Sequence, residues 1–150
     1  MSEHKFELFW ERGGKSFTYE TYPRGHHWRF NGGIEVDASS APEYLGDAAL
    51  PNPEEALVAA LSSCHMLSFL AIAARKRLTV DSYEDAAVGH MEKNTEGKLA
   101  ITKCELRPRV VFSGATKPNK EDVLKLHEQA HHICFIANSV KTEVTVHPLD

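Results

Sequence analysis

Residues 52–74 read NPEEALVAALSSCHMLSFLAIAA, and this stretch decides the fold. Asn52 can cap a helix, and Pro53 is favoured at the first helical position. No residue between the two glutamates and Arg75 carries a formal charge, and a basic residue at the end favours a helix C-terminus. The stretch therefore predicts one long helix with a cysteine, Cys64, near its middle.

A helix this apolar on all sides is typical either of a membrane span or of the buried centre of a domain. Its uncharged part approaches the roughly 20 residues that a span requires. Three serines, a cysteine and a histidine interrupt it, however, and the segments around it resemble half-buried strands. We therefore predict a long buried central helix in a protein with no membrane partner.

The composition fits one domain covering residues 1–150, large enough to bury a core without disulfides or a metal. Hydrophobic residues make up 42% and charged residues 25%, with a formal net charge of -4. Nucleic acids and anionic membranes attract basic surfaces, so neither is an expected partner. The N-terminal residues lack a signal-peptide pattern and the three cysteines suggest free thiols, which predicts a cytoplasmic protein.

Short alternating segments predict strands on both sides of the helix. Before the helix, the predicted strands are 5–11, 15–22, 26–30 and 34–38. After it, the predicted elements are strand structure within 78–91, a long strand 99–112, a second helix from 118 to about 132, and a last strand 141–146. Pro108 should place part of the long strand at an edge or a bulge. This order predicts an α+β fold with antiparallel sheets around the central helix.

Cys64 is the first candidate for chemistry. A free cysteine is usually a small buried hydrophobe, but serines and a histidine adjoin this one. A reactive thiol needs a helix N-terminus or a nearby cation. Cys64 lies about twelve residues past Asn52, where the helix dipole has little effect. The cation must therefore come from another segment, and Arg24, next to the permissive Gly25, is the candidate.

Cys134 is the second candidate. It is either a buried residue at the end of the second helix or a resolving thiol, which would condense with a sulfenic acid on Cys64 to give a disulfide. Cys104 lies on a predicted strand, and we assign it no role.

Nine histidines raise the question of a metal. His127 and His131 have helical i, i+4 spacing, but no CxxC or HExxH pattern occurs. We therefore predict no metal, and a His/Cys metal-binding protein is kept as an alternative.

Several of these segments together resemble the OsmC/Ohr family, the osmotically inducible and organic hydroperoxide resistance proteins. They are the helix start Asn52-Pro-Glu-Glu, the Ser-Ser-Cys64 motif, the Ala130-His…Cys134 segment, Gly33-Ile-Glu-Val-Asp and the last Val-Thr-Val strand. The resemblance spans nearly the whole chain. It implies thiol-dependent reduction of organic hydroperoxides by an intertwined homodimer with two sites at the subunit interface. It also implies no cofactor and an external reductant, either a dithiol or a lipoylated protein.

The resemblance implies a role for each of four residues. Cys64 corresponds to the peroxidatic cysteine and Cys134 to the resolving one, Arg24 to the catalytic arginine and Glu54 to the glutamate that orients it. The family often has an aromatic residue after the first cysteine and a proline after the second, where this chain has His65 and Phe135. The segments Tyr22-Pro-Arg24-Gly-His26 and Cys64-His-Met-Leu resemble an OsmC-like subgroup, which leaves the preferred peroxide and the reductant open.

Helix geometry bears on how the site is assembled. On a continuous helix, Glu54 and Cys64 are roughly 15 Å apart and about 80° out of phase. Either Glu54 serves the site of a second subunit or the helix is interrupted, and we predict composite sites in a homodimer. The alternative to an enzyme is a redox-sensing or small-ligand-binding dimer, in which Cys64 is oxidised without turnover.

Overall fold

The computed structural model describes residues 1–150 and shows two compact units, residues 1–56 and residues 57–150. The chain contains eight β-strands and two α-helices. The strands form three sheets, in which every strand pair but one is antiparallel. The fold is therefore α+β, as the sequence predicts. One domain over the whole chain stays a prediction.

The first unit holds a three-stranded antiparallel sheet. Its strands, in spatial order, are β1 (Phe6–Phe9), β2 (His26–Phe30) and β3 (Glu35–Ala38). Trp28 lies between Leu8 and Val36 in the register. Gly33 closes the β2–β3 turn at a φ of 86°, which a residue with a side chain rarely adopts. The predicted strands 26–30 and 34–38 are thus confirmed, as β2 and β3.

The predicted strand at residues 15–22 is wrong. This segment forms turns that are held by hydrogen bonds to Thr21. The Ser16 hydroxyl and the Thr18 N–H both donate to the Thr21 hydroxyl, at 2.6 and 3.2 Å. The Tyr22 N–H donates to the Thr18 carbonyl at 3.0 Å. Local side-chain and turn bonds therefore satisfy groups that a strand ladder would have used, and β1 pairs with β2 instead.

The central helix α1 (Pro53–Arg75) begins with a capping box. Asn52 Oδ1 accepts from the Glu55 N–H at 2.9 Å, and Glu55 Oε2 accepts from the Asn52 N–H at 3.2 Å. The helix is long and apolar enough to cross a membrane by length and composition, a test that core helices of soluble proteins also pass.

Burial of α1 follows one face. The fully buried side chains recur every four residues, at Leu61, His65, Phe69 and Ala73. Away from this face, Leu67 is 61% exposed. Within one chain, α1 is therefore buried along a stripe, and much of its remaining apolar surface is accessible.

The second unit holds five strands in two sheets. They are β4 (Thr79–Asp85), β5 (Val88–Lys93), β6 (Leu99–Leu106), β7 (Pro108–Ser113) and β8 (Glu143–Val146). β4 pairs with β7, while β6 lies between β5 and β8. The β6–β8 pair is parallel, the one departure from the predicted antiparallel pattern.

The predicted long strand 99–112 is divided in two at Arg107. The Arg107 N–H donates to Asp85 Oδ1 at 2.7 Å, and Pro108 has no N–H to donate. Neither residue can therefore continue the β6 ladder. The chain leaves one sheet there and enters the other, so Pro108 has a larger effect than the predicted edge or bulge.

Helix α2 (Lys120–Ile133) begins at Asn119, whose side chain accepts from the Asp122 N–H at 2.9 Å. Its buried face packs on α1: the first core cluster contains Phe69, Ala73, Leu126 and Ala130. A second cluster groups Leu61 of α1 with Cys104 and Leu106 of β6. These clusters fix α1 between α2 and the strands of the second unit.

Candidate active site

Two free thiols lie on the helices of the second unit, one in the middle of α1 and one at the end of α2. Cys64 projects half-buried from the middle of α1, and Cys134 is the fully buried residue that ends α2. Cys64 lies close enough to Cys134 to influence the pKa of that thiol. The structure therefore brings together the two cysteines that the sequence paired.

The backbone around Cys134 fixes its position. Its N–H donates to the His131 carbonyl at 3.3 Å, and its carbonyl accepts from the Asn138 N–H at 3.0 Å. The Ala137 N–H points at Cys134 Sγ, 3.5 Å away. The turn that follows α2 therefore holds the sulfur in place with a backbone donor.

The environment of Cys134 favours a protonated thiol. Burial raises the pKa of Cys134 and the neighbouring Cys64 side chain raises it further, while the Ala137 N–H acts in the opposite direction. Cys134 is thus poorly suited to attack a substrate first. It is suited to react later, with an electrophilic sulfur placed next to it.

Apolar side chains adjoin both thiols in the sequence. Phe135 follows Cys134 and is 80% exposed, Ile133 precedes it, and Leu67 lies one turn after Cys64 on α1. All three are exposed large hydrophobics. A surface of this kind favours apolar ligands or a protein partner over a small charged ligand.

Asp85 ties the end of β4 to α1 close to Cys64. Its Oδ2 accepts from the Ser62 hydroxyl and its Oδ1 accepts from the Arg107 N–H. The carboxylate thus joins α1, β4 and the point where the chain changes sheets. We interpret it as a structural residue that fixes the helix two residues before the thiol.

A buried imidazole pair lies next to Cys64 in the sequence. His65 Nε2 and His127 Nδ1 are 3.0 Å apart, and the two rings are nearly parallel, with 7° between their planes. Both residues are buried, and Phe69 packs on the His127 ring at a centroid distance of 4.3 Å. The outer nitrogens, His65 Nδ1 and His127 Nε2, have no hydrogen-bond partner.

Both imidazoles are neutral at physiological pH. Burial lowers the pKa of His65 to about 4, with His131 adding to the effect and Asp85 opposing it. Burial and the neighbouring His65 lower the pKa of His127 to about 4. The hydrogen bond between them is therefore one between neutral rings, one nitrogen donating and the other accepting.

Arg24 lies in the first unit, held by its own loop. Its terminal nitrogens donate to the carbonyls of Tyr19 and Tyr22, and its guanidinium lies 3.6 Å from the Tyr22 ring centroid. It lines an open cleft of 460 Å³ together with aromatic residues, among them Trp10 and Phe17. Its Nε is buried and has no partner.

Glu54 also belongs to the first unit and lies in the first turn of α1. Within this chain it forms no ion pair with Arg24, whose donors go to backbone carbonyls instead. Because α1 is unbroken, ten helical residues separate Glu54 from Cys64, about 15 Å along the axis. The helix interruption that would have brought them together is therefore excluded, and the orienting role of Glu54 stays a prediction.

No group of three or more histidine, cysteine, aspartate or glutamate side chains is arranged to hold a metal ion. The i, i+4 histidine pair that suggested a metal site does not lie in a single environment. His127 is buried against His65, whereas His131 is exposed. The alternative of a metal-binding protein gains no support from this arrangement.

Comparison with known proteins agrees with this fold. The OsmC-like protein family model matches residues 46–148, and the chain belongs to that family. An OsmC-like protein of unknown function from Vibrio cholerae is 50% identical, with a TM-score of 0.96 over 99% of this chain and 100% of that one. No curated protein matches the chain.

More distant structures share the fold. An organic hydroperoxide resistance protein from Elizabethkingia anophelis is 16% identical, with a TM-score of 0.76 over 100% of this chain and 97% of that one. The organic hydroperoxide resistance protein OhrB of Bacillus subtilis is 17% identical, with a TM-score of 0.70 over 99% and 98%. The resemblance to the OsmC/Ohr family seen in the sequence is thereby confirmed.

The imidazole pair is the feature that the sequence analysis missed. His127 drew notice only as a metal ligand, and His65 only as the neighbour of Cys64. The signal was present, because His65 falls four residues after Leu61 and four before Phe69, on the apolar stripe of α1. A histidine on such a stripe must be buried and must find a buried partner.

Proposed function

We propose that the protein is a thiol-dependent peroxidase that reduces organic hydroperoxides in the cytoplasm, as a defence against oxidative stress. The observation that carries this proposal is the proximity of the half-buried Cys64 to the buried Cys134. Membership of a family that includes hydroperoxide resistance proteins supports it. The exposed apolar side chains beside the thiols favour an organic peroxide over a small polar one.

The proposed reaction has three steps. The Cys64 thiolate attacks the distal peroxide oxygen, the O–O bond breaks, and the alcohol leaves with a proton, so that Cys64 becomes a sulfenic acid. Cys134 then forms a disulfide with Cys64 and releases water. An external dithiol, free or carried by a lipoylated protein, then exchanges with this disulfide: the reductant is oxidised to its own disulfide and both cysteines return to thiols. No cofactor is needed.

Arg24 and Glu54 complete the proposed site. A guanidinium has a fork of donors that suits two adjacent oxygens, and it stabilises negative charge as the O–O bond breaks. The cleft around Arg24 is lined with aromatic and aliphatic side chains, which suits an organic substituent. In the proposed site, Glu54 holds the guanidinium by an ion pair.

We further propose that the functional unit is an intertwined homodimer with composite sites. The first unit exposes large apolar side chains on and beside its sheet, including Leu8, Phe17 and Ile34, each at least 60% exposed. Patches of this kind mark protein interfaces. The unbroken α1 adds a second reason, because Glu54 cannot reach Cys64 of its own helix.

Repeated turnover distinguishes a peroxidase from a redox-sensing dimer, in which Cys64 is oxidised only once. We expect the reduced protein to consume many equivalents of cumene or t-butyl hydroperoxide in the presence of excess dithiol or a lipoylated carrier protein. Hydrogen peroxide serves as the small polar comparison. Peroxide loss is followed by a colorimetric assay. Consumption that stops after one equivalent would contradict the proposal and indicate the redox-sensing dimer instead.

Mixed dimers test the composite site. Two differently tagged chains, one with Cys64→Ser and one with Glu54→Gln, are co-expressed and purified through both tags. A composite site predicts about half of the wild-type activity per dimer, because one of the two sites then has both residues. Each homodimeric variant is the matched control. Activity no greater than that of the Glu54→Gln homodimer would show that each site is built within one chain.

A further inference from the structure

The hydrogen bond between His65 and His127 joins the two helices that carry the thiols. It is the one hydrogen bond between α1 and α2, and their other shared contacts are apolar, through Phe69, Ala73 and Leu126 among others. Apolar contacts are weakly directional. A hydrogen bond between two planar rings, by contrast, restricts both distance and angle.

Stability alone does not account for this pair. His65 Nδ1 and His127 Nε2 are buried without partners, and the nearby Tyr83 hydroxyl is also unpaired. Burial raises the pKa of Tyr83, so its hydroxyl stays protonated. Each unpaired buried group costs free energy, and two apolar side chains of similar size would avoid that cost. We therefore expect the pair to have a role other than stabilising the core.

Position along each helix suggests that role. His65 is the residue after Cys64, so the orientation of its ring is tied to the rotation of α1 at the thiol. His127 lies seven residues before Cys134, roughly two helical turns, and is tied to the rotation of α2. A disulfide forms only within a narrow range of distances and angles.

We propose that the His65–His127 pair is a positioning device that fixes the rotation of α1 against α2 and so holds Cys64 and Cys134 in disulfide-forming geometry. The inference rests on the proposed function, in that it takes the two cysteines to be a redox couple. Each ring has its hydrogen bond to the other ring and none to a cysteine sulfur. The pair acts through the two helices.

The test measures the effective concentration of the two thiols for each other. In a Cys104→Ala background, protein is equilibrated with mixtures of reduced and oxidised glutathione at pH 7. Formation of the disulfide removes two electrons and two protons from the two cysteines, and one oxidised glutathione becomes two reduced molecules. The disulfide fraction is read by mass spectrometry after an acid quench.

The variants separate positioning from stability. The double variant His65→Leu/His127→Leu removes the hydrogen bond without leaving an unpaired nitrogen, and His127→Leu alone removes one ring. His65→Gln keeps a nitrogen near the position of Nε2, as the conservative comparison. His132→Gln alters an exposed histidine of the same helix. Urea unfolding of each reduced protein gives the stability.

We expect the double variant to be as stable as the wild type and to lower the effective concentration by about tenfold or more, because the thiols lose a fixed orientation. His65→Gln and His132→Gln should stay within about threefold of the wild type. A double variant within about threefold of the wild type would overturn the inference and leave the proposed function intact. Failure of both leucine variants to fold would also overturn it, since the pair would then be part of the core. A wild-type protein that forms no Cys64–Cys134 disulfide would overturn both.

Discussion

Replacing Cys64 by serine is expected to abolish peroxide turnover, with a loss of about three orders of magnitude or more. A serine hydroxyl is far less acidic than a thiol and is a weak nucleophile at neutral pH. Neither remaining thiol is suited to take its place, because Cys104 and Cys134 are both fully buried and burial raises the pKa of each. The measurement is the steady-state rate of cumene hydroperoxide consumption with excess dithiol.

The other two cysteines supply the controls. Cys104→Ala should keep the wild-type rate, since its sulfur is given no part in the chemistry. Cys134→Ser should still be oxidised once by peroxide, at Cys64, and should lose fast recycling because no disulfide forms. A Cys64→Ser variant that turns over at the wild-type rate would refute the assignment of the nucleophile.

The protein should lose stability as the pH falls from about 6.5 to about 4. An unfolded histidine takes up a proton near pH 6.5, whereas burial lowers the pKa of both His65 and His127 to about 4. Between these values the unfolded state binds more protons, so the free energy of unfolding falls with falling pH. The loss is about 3 kcal/mol for one imidazole titrating over this range.

The groups around the pair decide which ring titrates first. His131 on α2 opposes protonation of His65 and Asp85 on β4 favours it, while His65 opposes protonation of His127. Tyr83, also on β4, packs near His127 and stays protonated.

Urea denaturation at pH 7 and at pH 4.5 measures the loss of stability. The His65→Leu/His127→Leu variant should show a shallower dependence, and His132→Gln the same dependence as the wild type. Equal slopes in the double variant and the wild type would contradict the assignment.

The central helix, its cap and the α+β class could be predicted because local signals determine them. Asn52 and Glu55 form the capping box, and the uncharged run continues until Arg75. The roles of Cys64 and Cys134 came from the family resemblance and stay predictions, and the structure places the two side chains near each other. Such features depend on residues close in sequence or on a motif that carries its own spacing.

The predictions that failed share a physical cause. The group that decides the local structure either lies far along the chain or forms hydrogen bonds that no periodic pattern indicates. Residues 15–22 have strand-forming side chains, yet Thr21 gathers local hydrogen bonds that no periodicity reveals. The division of the strand at Arg107 depends on Asp85, 22 residues away. The imidazole pair joins residues 62 positions apart. A single sequence does not show that Asp85 is the partner of Arg107, or that His127 is the partner of His65.

The boundary between the two compact units falls inside α1, after Ala56. A cut there would leave the capping residue Asn52 on one fragment and nearly all of the helix on the other. The longer fragment would begin with uncapped helical N–H groups and a run of apolar side chains. This boundary is therefore no natural site for dividing the protein into separately expressed pieces, and any insertion or split tag belongs in its surface turns instead.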